Sequence, residues 1–100
     1  MKVPMTKLTV VSESLLREEL LTLMRDAGAT GFTVTTADGE GSRGVRATEW
    51  EGPNIRIETI LSAELAEQIL TQVAERYFDD YAVIAWLTEI TVWRGKKFGA

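Results

Sequence analysis

A short glycine-rich segment holds the most concentrated set of potential ligand-binding groups in this 100-residue sequence. Its glycines let the backbone approach a ligand closely, and successive backbone amides in such a segment can form an anion-binding nest. A serine hydroxyl and two guanidinium groups in the same segment match the oxygens of a phosphate. The segment therefore predicts a phosphate clamp, and a surface loop with solvated arginines is the alternative interpretation. The candidate residues are Gly39, Gly41, Ser42, Arg43 and Arg46.

The composition argues against most other kinds of site. The sequence contains no histidine and no cysteine, so it lacks the commonest general base, a thiol nucleophile and any cysteine-based metal site. A net charge of −4 argues against a broad nucleic-acid-binding face. Because no nucleophile–base pair is evident, we expect a binding protein rather than an enzyme. The enzymatic alternative is a weak hydrolase in which Asp38, Glu40 or Glu58 holds a metal ion.

The first half of the chain predicts a strand, a helix and a second strand. Residues 7–12 alternate with apolar groups on both sides, which is typical of a central strand. An apolar stripe of helical period follows, with Ser12 or Ser14 as its N-terminal cap and Gly28 as its stop. Residues 31–36 then form a β-rich run. The helical stripe consists of Leu16, Leu20, Leu23, Met24 and Ala27.

The second half repeats this order. Residues 55–61 alternate as a strand, Ser62 is a candidate N-cap, and residues 83–93 form a long final strand rich in β-branched and aromatic residues. The helical stripe between the two strands consists of Leu65, Ala66, Ile69, Leu70, Val73, Ala74 and Tyr77.

Two such βαβ units predict one α+β domain over residues 1–100, with the ferredoxin-like split βαβ arrangement (βαββαβ). Its four-stranded antiparallel sheet would carry both helices on one face and leave the other face open. That open face is a candidate subunit interface, and an ordinary half-polar exposed sheet is the alternative. On the last strand we expect one set of side chains to meet the helices: Ile84, Trp86, Ile90 and Val92. The set expected on the open face is Val83, Ala85, Leu87, Glu89, Thr91 and Trp93.

Four blocks of sequence, spread over almost the whole chain, resemble PII signalling proteins. Within that superfamily they are similar to the SbtB family, PII-like regulators linked to bicarbonate uptake in cyanobacteria. The diagnostic blocks are the glycine–serine–arginine segment and the turn that ends in Tyr-Ala. The blocks are residues 7–13 (KLTVVSE), 28–34 (GATGFTV), 39–46 (GEGSRGVR) and 76–82 (RYFDDYA).

The resemblance implies a carbon-sensing signalling protein that forms a compact homotrimer. Such proteins bind adenine nucleotides (AMP, cyclic AMP, ADP and ATP) in clefts between subunits. A loop after the second strand, the T-loop, would occupy about residues 38–54 here. The implied partner is SbtA, the sodium-dependent bicarbonate transporter of the inner membrane, so the protein would be cytoplasmic and recruited to that membrane. A carboxysome-associated PII-like sensor of adenine nucleotides and bicarbonate is the alternative within the superfamily, and a ligand-free oligomeric adaptor is the alternative outside it.

Several roles are implied position by position. Thr33 and Gly39 match the strand end and loop base that PII proteins use around the nucleotide, and Glu58 matches a strand glutamate beside the ligand. Tyr81 is also implied to contact the nucleotide. It lies in the turn that replaces the B-loop of PII proteins, and this turn lacks that loop's glycine-rich, lysine-bearing sequence. This difference from PII proteins favours contacts mainly with the α-phosphate of the nucleotide. The T-loop residues implied to contact the partner are Val45, Glu49 and Trp50, although Trp50 could equally pack locally.

The C-terminal residues depart from the family in a second way. Many SbtB proteins end in a Cys-Gly-Pro-x-Gly-Cys loop associated with redox control and slow ATP or ADP hydrolysis, whereas this sequence has no cysteine. We therefore expect no redox switch of that kind. Lys96 and Lys97 could help to neutralise phosphate, and a solvated basic tail is the alternative.

Overall fold

The sheet is the organising element of the fold. The computed structural model describes residues 1–37 and 53–94. Within them the elements are β1 (Val3–Glu13), α1 (Arg17–Ala27), β2 (Thr33–Ala37), β3 (Asn54–Leu61), α2 (Ala63–Tyr77) and β4 (Ile84–Val92). The strands pair antiparallel in the order β2-β3-β1-β4. The predicted α+β, ferredoxin-like arrangement is therefore confirmed, with β1 inside the sheet as its two apolar sides indicate.

Both helices pack on the same face of this sheet. Leu8 and Val10 on β1 and Ile57 on β3 are fully buried, and they belong to one apolar cluster with side chains of both helices. Residues that pair across antiparallel strands share a face, so the pairing of Val10 with Ile57 places these side chains on the helix-covered side. The predicted helical stripes therefore form the core. The buried helical residues are Leu20, Leu21, Leu23, Met24, Ala66, Ile69, Val73 and Tyr77.

Three of the four helix ends can be compared directly with the sequence-based expectations. Gly28 ends α1 with φ = 119°, a left-handed conformation that favours glycine. Ser62 caps α2, because its hydroxyl accepts a hydrogen bond of 3.2 Å from the Leu65 amide. The predicted cap of α1 is wrong: a 3-10 turn (Ser14–Leu16) precedes the helix, and the Ser12 hydroxyl donates instead to the Glu13 carbonyl at 2.8 Å.

The two sides of β4 are the reverse of the predicted ones. Leu87 pairs with Leu8 and therefore faces the helices, whereas Trp86 pairs with Thr9 on the open face. Ile84 and Trp86 are accordingly 59% and 39% exposed. Both sides of this strand are apolar, so alternation alone did not distinguish them. The β4 side chains that pack against the helix-side core, with Val83 just before the strand, are Ala85 and Leu87.

The strand ends differ slightly from the predicted ones. β2 begins at Thr33 rather than at Gly31, because the Gly31 carbonyl accepts a 2.7 Å hydrogen bond from the Thr59 hydroxyl outside the β2–β3 pairing. β4 is one residue shorter at each end than the predicted 83–93. In the two described stretches of the chain, no helix is long and apolar enough to cross a membrane.

Candidate functional site

Thr33 and Glu58 form the centre of the candidate site. They are direct partners in the β2–β3 register, and the same row continues through Thr9 on β1 to Trp86 on β4. All four positions lie on the sheet face away from the helices. The structure therefore brings together two of the residues that the family resemblance implied for ligand binding.

A cross-strand ion pair adds a third polar group to this site. The ammonium nitrogen of Lys7 lies 3.4 Å from the Glu58 carboxylate Oε2, and the two side chains are 33% and 27% exposed. Lys7 and Glu58 are diagonal neighbours, since Lys7 pairs with Ile60 and Glu58 pairs with Thr9. Long side chains reach across such diagonals in a sheet. The carboxylate is thus held beside a cation while it remains accessible to solvent.

These groups line a cleft of about 280 Å³ at the β2 side of the sheet. The segment just before β2 forms one wall, where the Gly31 carbonyl is fixed by the Thr59 hydroxyl. The Arg25 guanidinium lies 5.5 Å from the centre of the Phe32 ring, a cation–π contact that links this wall to the end of α1. The lining residues are Lys7, Gly31, Phe32, Thr33, Glu58, Thr59 and Ile60.

The chemistry of this cleft suits a neutral polar group rather than a phosphate. Glu58 offers acceptors only, Thr33 offers a hydroxyl, and the charge of Lys7 is balanced by its carboxylate partner. The aliphatic side chain of Ile60 provides apolar contact surface, whereas Phe32 packs against the helix-side core. A ligand with several hydrogen-bond donors and a flat apolar face would match these groups. Among the described residues, no cluster of three or more acidic side chains is arranged to hold a metal ion.

Tyr81 does not join Thr33 and Glu58 within one chain. Its ring packs edge-on against Tyr77 of α2, with 5.9 Å between the ring centres, and it contacts the helix-side core. Its amide donates to the Tyr77 carbonyl at 3.0 Å. The turn that contains it leads into β4, at the opposite edge of the sheet from β2. Tyr81 therefore lies on the other side and toward the other edge of the sheet.

The buried carboxylate of Glu13 connects this turn to the start of β3. Its Oε2 accepts a 2.9 Å hydrogen bond from the Ala82 amide, and the residue is 1% exposed. Glu13 pairs with Asn54 in the sheet register, and the next residue, Ser14, donates its amide to the Pro53 carbonyl. The Tyr81 turn is thereby fixed at the end of the sheet where the chain re-enters β3.

The remaining predicted site residues lie outside the described part of the chain. The structure places the ends of the intervening segment side by side, because Ala37 and Asn54 are register partners. The ligand-binding candidates concerned are Gly39, Gly41, Ser42, Arg43 and Arg46, and the partner-contact candidates are Val45, Glu49 and Trp50. The metal-holding candidates Asp38 and Glu40 and the tail lysines Lys96 and Lys97 also fall outside it.

Sequence reasoning missed several groups that line the cleft. Lys7 carried a signal, because it is the charged residue in a run that otherwise reads as a buried strand. Phe32 and Ile60 carried none, because aromatic and β-branched residues are common in any strand. Glu13 appeared only as part of a sequence block, yet its burial makes it a structural anchor of the Tyr81 turn.

Comparison with known proteins supports the same fold. A PII-like signalling protein from Thermus thermophilus is 49% identical, with 97% of each chain covered and a TM-score of 0.85. CPII from Thiomonas intermedia is 25% identical over 98% of this chain and 97% of its own, with TM-scores of 0.84 when bound to ADP, AMP and acetate and 0.83 when bound to ADP and bicarbonate. The family model described as "Nitrogen regulatory protein P-II" matches residues 5–97. The chain therefore belongs to the nitrogen regulatory protein P-II family.

Proposed function

We propose that this chain is a PII-like signalling protein that binds an adenine nucleotide, with the nucleoside in the cleft of Thr33 and Glu58. The observation that carries the proposal is the direct pairing of these two residues in an open cleft beside Lys7. The Glu58 carboxylate can accept hydrogen bonds from the hydroxyl or amino groups of a nucleoside, and the Ile60 side chain offers apolar contact surface beside it. Because the charges of Lys7 and Glu58 balance each other, we expect the phosphates of the nucleotide to bind outside this cleft.

The glycine-rich segment supplies the groups that this cleft lacks. Arg43 and Arg46 offer charge-assisted hydrogen bonds to phosphate oxygens, each worth about 1.5–3 kcal/mol. The segment begins after Ala37, on the strand that carries Thr33. Binding of the phosphates would then bias the conformation of the segment that follows β2, which is the physical basis of the signalling role.

CPII from Thiomonas intermedia supports the choice of ligand. It is 25% identical over almost the whole chain, and its structures contain ADP with AMP and acetate or ADP with bicarbonate. The proposed ligands of the present protein are AMP, ADP, ATP and cyclic AMP. Cyclic AMP follows from the SbtB resemblance and from the turn at Tyr81, which departs from the phosphate-binding B-loop of PII proteins.

A homotrimer with sites between subunits fits the distribution of groups on the sheet. Ile84 and Trp86 expose apolar surface on the face that the helices leave open, and burying them between copies would be favourable. Tyr81 and the cleft lie toward opposite edges of the sheet. A neighbouring copy could therefore bring its Tyr81 turn to the cleft of Thr33 and Glu58, which one chain alone does not do.

The proposed partner is the bicarbonate transporter SbtA, engaged through the segment at about residues 38–54. Val45, Glu49 and Trp50 would make the contacts, and the protein would be cytoplasmic with recruitment to the inner membrane through that partner. A pull-down of SbtA by the wild type, compared with Trp50→Ala, tests this. Equal capture by both proteins argues against a role of Trp50, and no capture by either argues against the partner.

A second candidate function is a bicarbonate-responsive sensor of the carboxysome-associated kind. The specific observation in its favour is the CPII structure with ADP and bicarbonate. The two functions share the nucleotide cleft and differ in partner and in the effect of bicarbonate. A dependence of ADP affinity on bicarbonate, together with no binding to SbtA, would favour this second function.

We further propose that signalling needs no catalysis. The enzymatic alternative, a weak ATP or ADP diphosphohydrolase, predicts slow release of AMP from ADP in the presence of Mg²⁺ or Ca²⁺. Glu58→Gln would abolish that release if the carboxylate takes part. Absence of AMP release by the nucleotide-bound wild type is the result expected from a binding protein.

Isothermal titration calorimetry tests the central proposal. AMP, ADP, ATP and cyclic AMP are titrated into the wild type with and without bicarbonate, and into Arg43→Ala and Arg46→Ala. We expect binding by the wild type and weakening of AMP and cyclic AMP alike in both variants, by about tenfold or more, since each loses a charge-assisted hydrogen bond. No heat and no thermal shift with any of the four ligands would overturn the proposal.

A further inference from the structure

We propose that Lys7 is a positioning residue that holds the Glu58 carboxylate in place to recognise the ribose hydroxyls, and that it thereby sets the preference for ribonucleotides over deoxyribonucleotides. The inference rests on the proposed function, because it concerns the same cleft. The observation behind the inference is the contact of 3.4 Å between the Lys7 ammonium and Glu58 Oε2, which lies inside the cleft beside Thr33.

The contact is a poor candidate for a purely structural role. Both side chains remain partly exposed, at 33% and 27%, and ion pairs of this kind add little to stability. The distance of 3.4 Å also exceeds the usual length of a charge-assisted hydrogen bond, about 2.7–2.9 Å. The pair therefore acts mainly by balancing charge and by orienting the Glu58 carboxylate. Both effects influence how a ligand binds in the cleft.

The residue of β1 directly opposite Glu58 offers no competing support in the described part of the chain. Thr9 is its direct partner on β1 and is 1% exposed, yet the Thr9 hydroxyl has no hydrogen-bond partner among the described residues. The salt bridge from Lys7 therefore provides the observed polar contact of the Glu58 carboxylate. Without it, this carboxylate would be free to change rotamer toward solvent.

The chemistry of the pair matches a vicinal diol. A carboxylate has two acceptor oxygens and no donor, and an acidic side chain of this kind recognises ribose hydroxyls in other nucleotide sites. Lys7 also compensates the negative charge of Glu58, which would otherwise repel the phosphates of the same ligand. Loss of one ribose hydroxyl leaves an acceptor of the fixed carboxylate without its donor, so the deoxy analogue should bind less tightly.

The test compares AMP with 2′-deoxy-AMP by calorimetry on the wild type, Lys7→Met and Lys7→Arg. Lys7→Met keeps the length and apolar stem of the side chain and removes the charge, and Lys7→Arg keeps the charge. Lys2→Met is the matched control, since Lys2 lies over Trp93 at the far end of β1 and β4. We expect the wild type and Lys2→Met to prefer AMP by about tenfold or more, Lys7→Arg to keep most of that preference, and Lys7→Met to lose most of it.

The outcomes separate the two proposals. Wild-type protein that binds neither nucleotide overturns the proposed function and this inference together. Wild-type protein that binds AMP and its deoxy analogue equally overturns the inference and leaves the proposed function intact. An unchanged preference in Lys7→Met, or equal weakening of both ligands, also overturns it, because a merely structural role of Lys7 would move both affinities and leave their ratio constant. Thermal melting of each variant verifies that it is folded.

Discussion

Thr33 and Glu58 are directly opposed on neighbouring antiparallel strands, although they lie 25 positions apart along the chain. Their side chains share the face that the helices leave open. The β2–β3 register holds both of them, and the same register ends at Ala37 and Asn54, where the glycine-rich segment leaves and returns. Ala37, the last residue of β2 before that segment, therefore lies only four positions along the strand from Thr33.

Replacement of Glu58 tests the cleft directly. We expect Glu58→Gln to weaken AMP binding by about tenfold or more, because an uncharged amide accepts more weakly and turns a donor toward the donors of the ligand. Thr33→Ala should weaken it less, by about 0.5–1.5 kcal/mol, since a neutral hydrogen bond is lost. Calorimetry measures both. Glu75→Gln on the exposed side of α2 is the matched control, and equal affinities in Glu58→Gln and Glu75→Gln would contradict the site.

The open sheet face provides a test of self-association. Ile84 is 59% exposed there, so Ile84→Glu would place a charge within any interface formed by this face. We expect a trimeric mass for the wild type and a lower mass for Ile84→Glu in sedimentation equilibrium. Phe78→Glu is the control, because Phe78 is similarly exposed, at 42%, in the turn after α2. A monomeric wild type would refute the homotrimer. A trimeric Ile84→Glu would show that the interface does not include this part of the open face.

Gly28 makes a backbone contribution that can be measured separately. Its φ of 119° is strained for a residue with a side chain, whereas an added Cβ would meet only Leu65 Cδ2 at an ordinary 3.5 Å. Gly28→Ala should therefore lower the free energy of unfolding by about 1–2 kcal/mol through backbone strain alone. Gly31→Ala is the comparison, since its Cβ would enter open space without a positive φ. Denaturant titration should show a lower free energy of unfolding for Gly28→Ala and almost no change for Gly31→Ala.

Tyr77 predicts a change in stability at high pH. Burial raises its pKa above the ordinary value of 10.0, and Glu19, which accepts a 3.1 Å hydrogen bond from its hydroxyl, raises that pKa further. A raised pKa in the folded state means that the stabilising contribution is complete below about pH 10 and is lost as the pH rises through the folded-state pKa. The melting temperature of the wild type should thus fall more steeply above pH 10 than the melting temperature of Tyr77→Phe. Parallel declines would contradict this linkage.

Much of the fold follows from the period of the apolar residues. The stripes ending at Gly28 and beginning at Ser62 predicted both helices, because a left-handed stop and a hydroxyl cap satisfy backbone groups that the helix itself leaves unpaired. The sides of β4 could not be predicted this way. Trp86 and Leu87 are both apolar, and only the pairing of Leu87 with Leu8 decides which of them faces the helices.

The candidate site was only partly predictable for a similar reason. Thr33 and Glu58 were identified through the family resemblance, whereas their direct opposition depends on strand register, a long-range property. The ion pair of Lys7 with Glu58 depends in addition on the pairing of β1 with β3, which exists only in the folded sheet. Tyr81 illustrates the converse: its chemistry is visible in the sequence, but its place beside Tyr77 is not.

The side-by-side position of Ala37 and Asn54 has an evolutionary consequence. Because the β2–β3 ladder already holds these two ends together, a change in the length of the chain between them costs little, about 0.6 kcal/mol for each doubling of a flexible loop. Insertions, deletions and substitutions in residues 38–53 can therefore accumulate without disturbing the opposed pair of Thr33 and Glu58. Under the proposed function, changes in this segment outside the phosphate-binding residues Arg43 and Arg46 can alter the partner of the protein independently of its nucleotide ligand.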